Sequence, residues 1–446
     1  MREPAGVSMR RGTASPMRRA DGRNRRARSR MSLALIAASI ACCGLASGAT
    51  TRHHESTGSD ADGRSSTELR STLTLSGAND GQIFTGYRIS TAAGDCVDIR
   101  GARNVTFRNS DIGPCGGRGI YIEGGSGNRI YDNYIHVEGA ARRCCDTRDG
   151  ILIRDSDFTV IQGNVVAYCE SNIEVFANNV VIAGNFLLNP QGPYPRGQQI
   201  QTGAGTNITI ADNFLLSTRD ATLGPAIGTG STAPILMSQG ARSSPPEDSI
   251  NIYTTQHVLV QGNYVTGGLD ATSPNSGGAQ SPSGCGILGA DGDKRTGASH
   301  VTIRNNIVVN TGQCGIGIGT GTDQTVIGNR VLNLNPNSGG NSAIYVWKQY
   351  PPPCGPVLLS GNVASEIKLT GYGSGFWDGG GCAPVTCDGV NTKVSSCNLF
   401  DYGPGRAAQR KLLADSAIRI APAIPPRPRG CAAKSPYSNQ KSFAPC

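Results

Sequence analysis

Three carboxylates carry the chemistry this sequence offers most directly. Asp149 stands in Cys145-Asp146-Thr147-Arg148-Asp149-Gly150-Ile151, while Glu170 and Glu174 flank Ser171-Asn172-Ile173; the segment Gln198-Gln199-Ile200-Gln201 follows. Two carboxyl groups held about 5 Å apart are what a retaining glycosidase uses to cleave a glycosidic bond, one as acid and one as nucleophile. Such proximity raises the pKa of one partner and makes an acid and a base from identical groups. Asp149 with Glu170 or Glu174 is the expected pair. The plainer alternative is that Asp146 and Asp149 cap turns or pair with Arg148 and Arg154. Tyr121, Arg154, Tyr194, Arg196, Gln198 and Gln201 are the expected substrate-binding residues.

The elements that would position these groups announce themselves through repetition. Eight asparagines each follow an apolar residue by three positions: Ile130/Asn133, Ile161/Asn164, Ile182/Asn185, Ile210/Asn213, Val260/Asn263, Ile303/Asn306, Val326/Asn329 and Leu359/Asn362. Their surroundings nearly rhyme, as VIQGN, VIAGN, TIADN, LVQGN and TIRNN, and the shortest spacings are 21 and 23 residues. Repetition at that period indicates a stacked solenoid rather than a globular core. A short alternating strand cannot bury its inner face alone, but an identical strand about 4.8 Å away pairs with it. Asparagine at one fixed place per coil then forms a ladder of side-chain amides, and it tolerates the left-handed backbone of a sharp corner.

A second series fixes the phase: GIYIE at 119, GILIR at 150, NIEVF at 172, SINIY at 249, GIGIG at 315 and AIYVW at 343, with CVDIR at 96 as first member. Each coil therefore has at least two strands. Alternation points the first and third apolar residues inward and leaves Asp98, Tyr121, Leu152, Glu174, Asn251, Gly317 and Tyr345 on an outward stripe. Adjacent coils along that stripe supply the separation that a carboxylate pair needs.

Composition agrees with a thin, turn-rich β protein: 61 Gly, 16% charged and 5% aromatic residues in 446. The spacings of 50 and 43 residues around Asn263 are about two coils, or one coil plus a loop, and the Pro, Ser and Gly of 217–248 and 266–284 favour loops. Residues 1–30 hold ten arginines against two acids, followed by an apolar run from Leu33 to Leu45 and small residues at 46–49. That is the layout of a secretory signal, and the run is too short for a membrane span. Cys42 and Cys43 fit a lipoprotein pattern poorly, so a cell-surface anchor is the lesser alternative to a secreted or periplasmic protein. The formal charge of +9 comes mostly from this segment; residues 31–402 hold 23 basic and 29 acidic residues, which is no nucleic-acid footprint.

Thirteen cysteines remain beyond the signal, and export makes disulfides the expected state. Cys285 and Cys314 each precede a strand isoleucine by two residues, so adjacent coils would bring them within bridging distance. Cys96 with Cys115, and Cys169 with Cys144 or Cys145, are further adjacent-coil pairs. Zinc finds no CxxC pair or histidine cluster, so no metal centre is expected.

The VxIxxN and xGIxI phrases, over residues 73–400, resemble the right-handed parallel β-helix proteins of the pectin lyase-like superfamily. The resemblance implies an all-β, single-stranded right-handed parallel β-helix of about ten coils at 73–402. An export signal at 1–49, a disordered linker at 50–72 and a basic C-terminal cap or tail at 403–446, with a short helical segment, complete the organisation. In polygalacturonase-type hydrolases an aspartate precedes a Gly-Ile strand, an Asp-Asp pair follows in the next coil and Gly-His-Gly in the third. Asp149 in RDGI is similar to the first, Glu170-Ser171 stands partly where the pair belongs, Gln198 takes the histidine's place, and no Arg-Ile-Lys motif follows.

Fold fixes no reaction. A lyase needs a cation facing a uronate and a base for its C5 proton; Arg118, Arg154 and Arg196 are candidate cations, and Asp95, Asp98 or Asp149 candidate ligands for Ca2+, the one cofactor considered. A non-catalytic, adhesin-like carbohydrate binder would instead rely on aromatics such as Tyr121, Tyr194, Tyr345, Trp347 and Trp377. The expected protein is an exported monomer acting on a polysaccharide by carboxylate acid/base chemistry, as glycoside hydrolase or polysaccharide lyase, with neither nucleic acid nor a membrane domain involved.

Overall fold

A computed structural model describes residues 56–59, 65–136, 148–190, 197–217, 248–267, 274–275, 279–280, 284–309, 311, 313–335, 342–368 and 374–401. They belong to the unit Arg52–Cys446; the unit Met1–Thr51 lies outside the described residues, as do the expected export signal and the whole of the expected C-terminal cap or tail at 403–446. Apart from two 3-10 turns, every regular element described is a β-strand.

One coil shows how the chain winds. The strand Ile151–Arg154 is followed by Val160–Gln162 and Val165–Ala167, and the next strand, Ile173–Phe176, pairs in parallel with Ile151–Arg154 with Ile151 opposite Ile173. Repetition builds three sheets. Sheet 1 has 11 strands, from Leu73–Leu75 to Phe376–Gly380; sheet 2 has 11, from Ile83–Thr85 to Val385–Thr386; sheet 3 has 13, from Ser56–Ser59 to Leu399–Asp401. The third strand of each coil is the short apolar segment just after the repeated asparagine. Sheet 3 opens earlier than expected: Ser65–Leu69, inside the segment read as linker, pairs in parallel with Tyr87–Thr91, and Ser56–Ser59 folds back on it antiparallel.

The interior is a stack of like residues. Ile120, Ile151, Ile173, Ile200, Ile250, Ile287, Ile316 and Ile344 succeed one another in sheet 1, all fully buried, and the apolar residues of the asparagine phrase do the same in sheet 2. The small residue before the sheet 1 isoleucine has a steric cause. A Cβ on Gly150 would lie 2.3 Å from Val166 and one on Gly315 2.0 Å from Val331, so that backbone presses directly on sheet 3.

The asparagine ladder runs between sheets 2 and 3. Asn164 donates from its backbone N–H (2.9 Å) and Nδ2 (3.0 Å) to Asn185 Oδ1, and also from Nδ2 to the Ile130 carbonyl at 2.8 Å. The same bonds recur from Asn133 through Asn362 and reach a ninth member, Asn398. Asn398 has serine, not an apolar residue, three positions before it. The left-handed residue at these corners is not the ladder asparagine but the one before it: Asp132, Gly163, Gly184, Asp212, Gly262, Asn305, Gly328 and Gly361 all have positive φ. Separate residues thus make the turn and the ladder.

Of the disulfides, Cys96–Cys115 and Cys285–Cys314 are as expected, and Cys354–Cys382 and Cys387–Cys397 join them. Cys169 is buried, and Cys144 and Cys145 lie outside the described residues.

Candidate carboxylate face of sheet 1

Strand pairing settles the outward stripe. Asp98, Tyr121, Leu152, Glu174, Gln201, Asn251, Leu288, Gly317, Tyr345 and Trp377 stand opposite one another on consecutive rungs. The expected phase holds, but the stripe is not the open surface that alternation implied. Tyr121, Leu152, Glu174, Asn251 and Tyr345 are buried on this outer face.

Asp149, Glu170 and Glu174 come from two adjacent rungs, those of Ile151 and Ile173, whose backbones lie about 4.8 Å apart. They are 4%, 6% and 2% exposed. The Arg148 N–H donates to Glu170 Oε2 at 3.4 Å, tying the turn of one rung to the carboxylate of the next. Carboxylates so withdrawn from water require polar partners or a shared proton. Gln198 follows one rung on, fully buried, accepting a hydrogen bond from Ser171 Oγ at 3.0 Å, so it braces the rung of Glu170 instead of offering itself to a ligand. Gln201 is half-buried above Glu174.

The expected cations and aromatics are distributed differently. Arg118 pairs with Asp95 at 3.1 Å, and Arg100 binds Asp98 at 3.0 Å and also Glu123. Asp95 and Asp98, considered as calcium ligands, therefore each already hold a guanidinium. Both arginines lie over the Tyr121 ring, at 4.3 and 5.0 Å, so that ring is occupied by protein groups. Arg154 is exposed and rests 4.6 Å over Phe176. Tyr194 and Arg196 lie outside the described residues. The open aromatic surface of this face is at its C-terminal end, where Trp347 and Trp377 are 40% and 39% exposed with ring centres 5.7 Å apart, and Tyr345 meets Trp377 at 6.3 Å.

Sequence reasoning missed a second acidic group, Asp248 and Asp291. Asp248 precedes Ile250 by two residues, the same offset by which Asp149 precedes Ile151, and that spacing was a usable signal. Asp291 gave none. The strand Cys285–Asp291 carries an extra residue, so that Leu288 faces Asn251 but Asp291, not Ala290, faces Tyr253. The bulge turns Ala290 into the core, opposite Ile318, and delivers Asp291 to the outer face. Burial pushes the Asp291 carboxyl above its ordinary range, partly offset by hydrogen bonds from Tyr350, the Gly292 N–H and Asn251. The Tyr345 hydroxyl is raised well above its usual value by burial and the nearby Asp248 charge, and that of Tyr350 by burial and Asp291.

Residues 74–233 match the family described as the right handed beta helix region. The chain is a right-handed parallel β-helix. Among solved β-helices, an alginate lyase from Paenibacillus sp. str. FPU-7 shares 13% identity over 71% of this chain and 99% of its own, with a TM-score of 0.40. The DFA-IIIase from Arthrobacter chlorophenolicus A6, without its lid and in complex with GF2, shares 12% over 75% and 85%, with a TM-score of 0.42. PfbA, a surface adhesin of Streptococcus pneumoniae, shares 9% over 70% and 80%, with a TM-score of 0.38. At such identities the likeness is one of winding alone. No curated protein matches the chain. Among the described residues of this β-helix no helix is long and apolar enough to cross a membrane.

Proposed function

We propose that this β-helix is an exported, monomeric polysaccharide-cleaving protein whose acid and base are Asp149 and Glu170 or Glu174. The observation that carries the reading is the presence of three buried carboxylates on two adjacent rungs, Glu174 within its strand and Asp149 and Glu170 just before theirs. In the hydrolytic form, one carboxyl gives its proton to the glycosidic oxygen as the C–O bond breaks. The other either adds to the anomeric carbon, forming a glycosyl-enzyme that a water then hydrolyses while giving its proton to the first carboxylate, or takes the proton of a water that attacks directly. In the second case both carboxyls regain their starting protonation by exchange with solvent. In the lyase form the base would take a proton beside a uronate carboxyl and leave an unsaturated sugar; Asp95 and Asp98, engaged by arginines, make calcium assistance from them the weaker version. A second reading, a non-catalytic carbohydrate-binding solenoid, is favoured by the exposed pair Trp347 and Trp377 on the same face.

The test is reducing-end release, with ultraviolet absorbance of unsaturated product, on neutral and acidic polysaccharides, comparing the protein with Asp149→Asn. Loss of about 10²- to 10⁴-fold in the variant is the expected result for a proton-transfer group. Reducing ends without absorbance mean hydrolysis, and absorbance means elimination. Silence on every polymer, with retention of the protein on one of them, would replace cleavage by binding.

A further inference from the structure

The corner where sheet 1 passes into sheet 2 carries one outward side chain per rung, and Asn179, Asn207, His257, His300 and Asp323 follow one another along it. All five have a left-handed backbone. Asparagine and aspartate suit that conformation because their short polar side chains bond locally, and Asn207 Nδ2 indeed donates to Asn179 Oδ1 at 3.2 Å. Two consecutive rungs depart from the pattern and carry imidazoles. The chain has five histidines, and the winding brings these two face to face, with ring centres 4.5 Å apart and planes within 3° of parallel.

Asp323, on the next rung, gives the pair a direction. His300 Nδ1 lies 3.2 Å from Asp323 Oδ2. A carboxylate only accepts, so Nδ1 carries the proton and the lone pair of the neutral ring stands at Nε2. A carboxylate placed in this way orients a metal-binding imidazole and raises its basicity. The His300 side chain is 44% exposed and His257 is exposed as well. Among the described residues no protein group hydrogen-bonds to His300 Nε2 or to the His257 ring. An ion bound at about 2.0–2.1 Å to one nitrogen of each ring holds those nitrogens about 3.4 Å apart at a tetrahedral angle. Facing rings at the spacing of one rung reach that distance when their open edges lean together by about 1 Å, which solvent-exposed side chains are free to do. The other close grouping of ligand types, Cys387, Asp388 and Cys397, has both sulfurs engaged in a disulfide.

We propose that His257 and His300 form a two-imidazole site for a first-row divalent metal ion, with Asp323 as the positioning residue that fixes the His300 tautomer. Imidazole nitrogens select Cu2+ ahead of Ni2+ and Zn2+, whereas Ca2+ and Mg2+ take oxygen ligands and are not held. Water completes the coordination. An ion that joins two rungs binds the folded chain and not the unfolded one, so it also stabilises the stacking of those rungs. The site is separate from the carboxylates of sheet 1, and the proposal stands whether or not the polysaccharide reading does.

The experiment is calorimetric titration of the full chain with Cu2+, Ni2+, Zn2+ and Ca2+, in a background of His53→Gln and His54→Gln that removes the adjacent histidines near the N-terminus. One equivalent of each transition ion, bound tightest for Cu2+ and not for Ca2+, should be lost in His257→Asn and in His300→Asn. Both variants install the residue that the corner already carries at 179 and 207, so their denaturation midpoints in chelator should match that of the background protein. Asp323→Asn should weaken binding about tenfold and Asp323→Glu restore it, which a merely structural aspartate would not show. Paramagnetic resonance of the Cu2+ form should report two nitrogen ligands in the background protein and fewer in either histidine variant. Transition-ion binding unchanged by His257→Asn or His300→Asn, binding of Ca2+ as tight as that of Cu2+, or binding of no ion at all would each overturn the proposal.

Discussion

At the scale of single residues, the ladder asparagines do work that no apolar residue could. Asn185 Oδ1 accepts two hydrogen bonds from Asn164, while its Nδ2 donates to the Ile161 carbonyl at 3.0 Å and to Asn213 Oδ1 at 2.9 Å. Asn185→Ala would strand two buried donors and a carbonyl, and is expected to cost about 3 kcal/mol in chemical denaturation. Asn398→Ala, at the half-buried end of the ladder, should cost distinctly less. Asp291 gives a pH signature. Its carboxyl is raised in the folded protein, so the native state holds its proton more tightly than the unfolded chain. Asp291 thus favours folding most below the unfolded carboxylate pKa, and the benefit disappears as pH rises through the folded value. Unfolding curves of Asp291→Asn and the unaltered protein should move in the variant's favour with rising pH across that window; parallel pH profiles would refute this.

At the scale of elements, rungs depend on their neighbours, and covalent bridges reinforce the same contacts. Cys285–Cys314 closes a span of 29 residues between adjacent rungs, with Cα atoms 4.4 Å apart. Replacing both cysteines by serine is expected to cost about 3–4 kcal/mol, read as a lower denaturation midpoint, because the unfolded chain regains the closed-loop entropy. The effect should concentrate on the rung that carries Asp291, since the bridge anchors one end of the bulged strand and Asp291 the other. Ala290 and Asp291 exchange roles at that bulge, and a regular strand of the same sequence would have buried the carboxylate in the core. Periodicity read from sequence assumes an unbroken alternation, so it misses a residue displaced in this way.

At the scale of the whole molecule, winding gathers onto one sheet face groups that are far apart in sequence. Glu174 and Trp377 are far apart in sequence, yet both stand on the outward stripe of sheet 1. The disulfide bridges are consistent with passage through an oxidising compartment. The export reading predicts that mass spectrometry of secreted protein finds an N-terminus close after Ala49; recovery of an intact leader on reduced cytoplasmic protein would contradict it.

What the sequence determined by itself was the solenoid: the asparagine phrase and the Gly-Ile strands specify stacking because identical strands satisfy one another, a rule local enough to read by spacing. It also paired Cys285 with Cys314, which needs only their shared offset from a strand isoleucine, and Cys96 with Cys115. The third strand, the ninth asparagine and the left-handed residue before each ladder position needed the coil closed in space. So did the burial of the outward stripe, the arginine cover on Tyr121 and the arrival of Asp291 beside Asp248. These depend on which side chains from distant rungs meet and on one extra residue in a strand, and periodicity carries no record of either.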